Sequence, residues 1–132
     1  MKIYDPSQVS VLIGGAIIKS WDLVKVSRDE DGYTFYTGTQ GESTRIKNLN
    51  KMGAIELTLP QSSSDNDILT GKQIAGDLIT CAIMDKSGTT VITMPSGTIV
   101  KMPDVELGEE NTQRVWLIKG DTPDPYMVGG NA

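Results

Sequence analysis

Between Gly53 and Leu59 the chain alternates without a break, with Ile55, Leu57 and Leu59 on one side and Ala54, Glu56 and Thr58 on the other. Residues two apart share a face only on an extended strand, so this run forms a strand with one buried side. The first set belongs in a core. The second is small and polar enough to face water or a channel.

The same period of two recurs along the chain. Val9–Ile13 runs through Gly14-Gly15 into Ala16–Ile18, which reads as a hairpin. Leu23–Ser27, the acidic turn Asp29-Glu30-Asp31-Gly32 and Tyr33–Tyr36 read as a second hairpin. Strands are also expected at Leu78–Met84, Thr89–Met94, Thr98–Met102 and Thr112–Lys119, the middle pair joined by a turn at Pro95-Ser96-Gly97. One helix is expected over 64–75, with Ser64 as N-cap, Asp67 in the capping-box position and Gly76 as the stop. Ile68, Leu69 and Ala75 would share its inner face.

Thr37–Asn50 breaks the pattern. It is polar, holds Gly38 and Gly41, and offers only Ile46 and Leu49 to an interior. A stretch this long without structure of its own usually has a job, which makes it a candidate contact loop. The whole reads as one mainly β domain over 1–132, a β-sandwich or barrel of about seven or eight strands closed by one short α-helix. Residues 1–8 are expected to form an N-terminal arm, and 120–132 a C-terminal arm that is extended or disordered.

Composition narrows the function classes. The chain has no histidine, which removes the commonest general base and metal ligand. Cys81, the single cysteine, lies in the apolar run Leu78–Met84 and is expected to be a buried, inert thiol. No triad, zinc set or phosphate loop can be assembled, so no catalytic, cofactor or metal residues are assigned and the protein is expected not to be an enzyme. The acidic turn at Asp29–Asp31 reads as a solvated turn rather than a calcium loop. Four of the five net negative charges fall after Pro103, where Asp104, Glu106, Glu109, Glu110, Asp121 and Asp124 face only Arg114 and Lys119. A chain so charged binds phosphates poorly. Tyr33, Phe35 and Tyr36 therefore read as core or interface packing rather than as a nucleic-acid platform, and Trp21 and Trp116 as core. No apolar run reaches the roughly 20 residues of a membrane span, and the N-terminus lacks a secretory pattern, so a cytoplasmic setting is expected.

The order of local motifs resembles the small tail tube proteins of contractile-tailed phages, among them short myovirus structural proteins. It is carried by Asp5-Pro6 before Val9–Ile13 and Gly14-Gly15, then Arg28–Asp31, then Gly38-x-x-Gly41 with Arg45. Ala54–Ser63 follows, then Asn66-Asp67-x-Leu69, Leu107-Gly108-Glu109, Arg114-Val115-Trp116 and Gly129-Gly130-Asn131. The resemblance implies homohexameric rings whose inner strands join one ring-wide β-barrel, stacked into a tube around a channel. The same fold serves the tube protein of type VI secretion systems. It implies tail sheath, baseplate and tail terminator proteins as partners, and DNA passing without specific binding. It also implies a place in the virion after assembly in the host cytoplasm, without membrane insertion. Under it Gly38, Gly41, Arg45 and Lys47 are inter-ring contact candidates, and Ala54, Glu56 and Thr58 lumen candidates. Two alternatives stay open: another phage structural module, such as a head decoration or tail terminator protein, and a monomeric β-type binding domain.

Overall fold

Short apolar runs of period two, each too brief to bury itself, pair edge to edge into a sheet. The computed structural model describes residues 5–123 and 126–130. Met1–Tyr4 of the expected N-terminal arm, and Asp124, Pro125, Asn131 and Ala132 of the C-terminal one, lie outside the described residues. Pro6–Gln8 forms a single 3-10 turn that Asp5 caps by accepting from the Ser7 amide; the Ser7 hydroxyl and that amide hold the Asp5 carboxyl below its usual range.

The strands are β1 (Val9–Ile13), β2 (Ala16–Ile18), β3 (Leu23–Arg28), β4 (Tyr33–Thr37), β5 (Ser43–Lys47), β6 (Met52–Pro60), β7 (Ile79–Asp85), β8 (Val91–Lys101) and β9 (Gln113–Asp121), with α1 (Asp65–Ala75) between β6 and β7. Seven of them make one antiparallel sheet in the order β2-β1-β7-β8-β9-β6-β3, and β4 and β5 pair only with each other. The fold is thus mainly β with one α-helix, as expected.

Ile55, Leu57 and Leu59 are buried together with Trp116 and Ile118 of β9, Cys81 of β7 and Val11 and Ile13 of β1. The sheet curls: Val9 of β1 and Val24 and Val26 of β3, far apart in strand order, line one groove with Ile83 and Ile92. Leu69 of α1 closes another side of the core and is fully buried. Gly14 and Gly15 make the β1–β2 turn at φ of 58° and 85°, a left-handed pair suited to a two-residue hairpin. The Lys72 ammonium of α1 donates to the Gly14 carbonyl at 3.0 Å.

Several local expectations are corrected. β3 does not pair with β4 but adds to β6 from Leu23↔Thr58 to Arg28↔Gly53. That pairing lets Val24 and Val26 pack on the core, whereas β4 offers no buried face. Thr37–Asn50 is not a bare loop: it contains β5, turned through Gly41 at φ 85° with the Gly38 amide donating to the Glu42 carbonyl at 2.7 Å. Pro95-Ser96-Gly97 is no turn, because β8 runs straight through it. Ile79 pairs with Gly97 while Cys81 pairs with Met94, so β8 has one residue more than β7 across this stretch, and such an irregularity tolerates a proline without an amide. Beyond it Gly97 faces Gly120, where a Cβ on Gly120 would meet the Ser96 carbonyl oxygen at 2.5 Å.

The helix also departs in detail. Ser64 makes no side-chain cap, and the Ser63 hydroxyl accepts from the Asp65 amide at 3.2 Å instead. Gly76 closes the helix at φ 72°, yet Ile68 and Ala75 are exposed. Leu69 is the buried side chain of the helix, while Asn66 and Lys72 reach the sheet and its β1–β2 turn through hydrogen bonds. Past β9 the described residues run on alongside the start of β8, antiparallel to it, as an extended arm does. Thr122 is fully buried and accepts from Arg28, the Arg28 guanidinium lies 4.1 Å over the Tyr126 ring, and Met127 exchanges two 3.0 Å backbone bonds with Val91.

Candidate assembly surface

A residue with no core to enter still needs a reason to be apolar. In the β4–β5 hairpin all ten strand residues are exposed. Register divides them into two faces, since residues directly opposite share a side. Tyr33 stands opposite Lys47 and Phe35 opposite Arg45, while Thr34 faces Ile46 and Tyr36 faces Thr44 on the other side. The Arg45 guanidinium lies 4.7 Å from the centre of the Tyr33 ring. One face is therefore aromatic and basic. Ile46 and Leu49, expected inside, are 51% and 79% exposed, since β5 pairs with β4 alone among the described strands.

Of the contact candidates, Gly38 and Gly41 sit in the turn at the hairpin tip, and Arg45 and Lys47 on β5. Sequence reasoning singled out this region but missed that it is a hairpin continuous with Tyr33 and Phe35. The available signal was the alternation Ser43-Thr44-Arg45-Ile46-Lys47, which has strand period but only one apolar residue. The Asn48 amide closes the hairpin base by donating to the Gly32 carbonyl at 2.8 Å, and the Asp29 amide ties that base to the sheet by donating to the Met52 carbonyl at 2.9 Å.

The second surface is the sheet face turned away from the core. Glu56 is exposed there, opposite Lys25 of β3. Ala54 and Thr58 share its side but are each only 8% exposed, flanked in register by Ser27 and Lys119 and by Leu23 and Val115. Lys119 adds a further positive charge 3.7 Å from Asp29. The face carries both signs. At the sheet's two ends, β2 and β3 each have a neighbour on one side only among the described strands.

The remaining chemistry is sparse. Among the described residues no three Cys, Asp or Glu side chains cluster to hold a metal ion, and no helix is long and apolar enough to cross a membrane. Burial pushes the Cys81 thiol up to about 11. A raised thiol pKa keeps the neutral form, so at pH 8 the thiolate is on the order of one part in a thousand. Thiol-reagent labelling at pH 8 is therefore expected to be slow in the native protein and fast in concentrated urea. Equal rates in both would contradict a buried thiol.

The fold is similar to those of proteins from contractile injection systems. The tube-terminating cap of the anti-feeding prophage superposes with a TM-score of 0.60 at 9% identity, over 100% of this chain and 93% of that one. The sheath/tube terminator of the extracellular contractile injection system PVC, in its extended state, gives 0.55 at 13% identity over 89% and 91% of the two chains. A chain of the sheath-tube complex of an extracellular contractile injection system, also PVC and extended, gives 0.53 at 13% identity over 98% and 93%. At these identities the likeness is one of fold. By sequence the chain is similar to structural protein ORF10 of Pseudomonas phage KPP10, 26% identical over 144 aligned positions that cover 97% of this chain and 83% of that protein. No protein-family model matches the chain.

Proposed function

We propose that this chain is a structural subunit of a phage contractile tail, assembling with copies of itself into sixfold rings that stack as the tail tube. The observation that carries the reading is the β4–β5 hairpin, exposed along both strands. A two-stranded ribbon is marginally stable alone in water, so its order and its aromatic residues are best used against a neighbouring subunit. Two further features support it. The edges of β2 and β3 leave backbone groups for another copy's sheet, and closure into a ring removes such edges. Similarity to a phage structural protein and to injection-system folds points the same way.

In this reading Glu56 and the flanking Ala54 and Thr58 belong to the channel side, sheath and baseplate proteins surround and nucleate the tube, and DNA passes without specific contacts. The work is mechanical and needs no catalytic group. A lumen bearing Lys25 opposite Glu56 is close to neutral rather than acidic. A second reading, a ring that terminates the tube, is favoured by the fold likeness to a tube-terminating cap.

Negative-stain electron microscopy of the concentrated protein separates them. Hollow tubes or stacked sixfold rings are expected. Closed rings that never elongate would replace the tube with the terminator, and particles without a central opening would overturn both.

A further inference from the structure

The tertiary structure puts two exposed surfaces of opposite chemistry at opposite ends of the β6–β9 pair. The hairpin leaves from the end where Arg28 pairs with Gly53 and Met52 with Asp121. The segment from Asp104 to Glu110 leaves from the other end, where Pro60 pairs with Gln113. There the Thr112 hydroxyl donates to the Glu106 carbonyl at 2.8 Å, and the Thr112 amide donates to the Gln61 side-chain oxygen at 3.1 Å. The nine residues of β6 separate the two ends, about 26 Å at strand rise.

The chemistry of the two is complementary. The hairpin face shows Arg45 and Lys47 beside Tyr33 and Phe35, the rings 49% and 75% exposed. The segment carries Asp104, Glu106, Glu109 and Glu110 with no base among them. Between those acids Val105 and Leu107 stand 70% and 78% exposed. Hairpin against hairpin would set Arg45 and Lys47 against themselves, and segment against segment would oppose four acids to four. The unlike pairing is the one in which the charges of these two faces attract. Because the surfaces lie at opposite ends, that pairing is heterologous and repeats along an axis.

We propose that the basic aromatic face of the β4–β5 hairpin docks on the acidic, apolar segment Asp104–Glu110 of a second copy placed end to end with the first. The proposal rests on the stacking reading above and names the two surfaces that meet. Arg45 and Lys47 pair with the carboxylates, while Phe35 covers Val105 or Leu107.

Charge exchange in the full chain tests it, read by sedimentation velocity and electron microscopy. Both surfaces are exposed, so the variants keep the wild-type melting temperature. R45E/K47E alone and E106K/E109K alone are each expected to raise the concentration for half-assembly by about tenfold or more. Combining all four substitutions in one chain restores assembly, and so does mixing the two defective proteins, which then alternate. Rising salt weakens wild-type stacking, since the charges are exposed. If R45E/K47E assembles as the wild type does, the contact is wrong while the stacking reading stands. Loss in both variants without recovery in the combined chain also overturns the pairing. A wild-type chain that stays monomeric at every concentration removes the stacking reading and this contact together.

Discussion

Replacing residues 33–47 by a short glycine-serine link is expected to leave a folded monomer that forms no tubes. The hairpin contributes nothing to the core, since every strand residue in it is exposed. Its two ends are already joined, the Asn48 amide donating to the Gly32 carbonyl at 2.8 Å, so a short link closes the gap without strain. Removing exposed side chains away from such bonds changes stability by roughly 0.5 kcal/mol or less. Assembly is another matter, because in the proposed tube the hairpin is the projection that crosses from one ring to the next. The measurement is a melting curve beside electron micrographs of the same sample. Tubes of normal length from a protein lacking the hairpin would remove it from the contact. A collapsed melting curve would instead show that the hairpin stabilises the domain itself.

The largest loss of stability is expected from Trp116→Ala. Trp116 is 1% exposed, lies opposite Leu57 in register, and its indole N–H donates to the Asn66 side-chain oxygen at 2.9 Å. Asn66 in turn donates to the carbonyls of Pro60 and Ser63 at 3.1 Å each, so one residue fastens the start of α1 to both the sheet and the preceding turn. Truncation empties a large volume and strips Asn66 of its donor, costing about 3–5 kcal/mol. Against a total of about 5–15 kcal/mol for a domain, that brings the subunit near unfolding at ordinary temperatures. Urea titration followed by far-ultraviolet circular dichroism measures it. Phe35→Ala, equally aromatic but 75% exposed, is the matched comparison and should leave the midpoint unmoved. A comparable loss from both would mean that Phe35 packs in the folded subunit.

The contrast between those two aromatics shows where sequence reading succeeds. Trp116 lies in the continuous apolar run Val115–Ile118, and a run of that length in a strand places side chains inside. Tyr33, Phe35 and Tyr36 have equal β propensity but stand among threonines with no aliphatic residue beside them, so propensity names a strand without naming its partner. The choice of β6 over β4 as partner for β3 depends on which pairing buries Val24 and Val26, a long-range matter. Proline misled in the same way. Pro95 normally ends a strand, yet the irregularity opposite Ile79 and Cys81 accommodates it, and that depends on a neighbour far away in sequence.

The sequence by itself determined the class of fold, the strand β6 with its buried Ile55, Leu57 and Leu59, the Gly14-Gly15 turn, the helix stop at Gly76 and the burial of Cys81. Each follows from residues within a few positions of one another, through side-chain period, left-handed glycine or local apolarity. Tertiary structure alone decided the strand order, the detachment of β4–β5 from the main sheet and the pairing of Met127 with Val91. It alone set the aromatic, basic hairpin and the acidic segment at opposite ends. These rest on pairings between residues tens of positions apart, selected by the total apolar surface they bury, a quantity no local pattern carries.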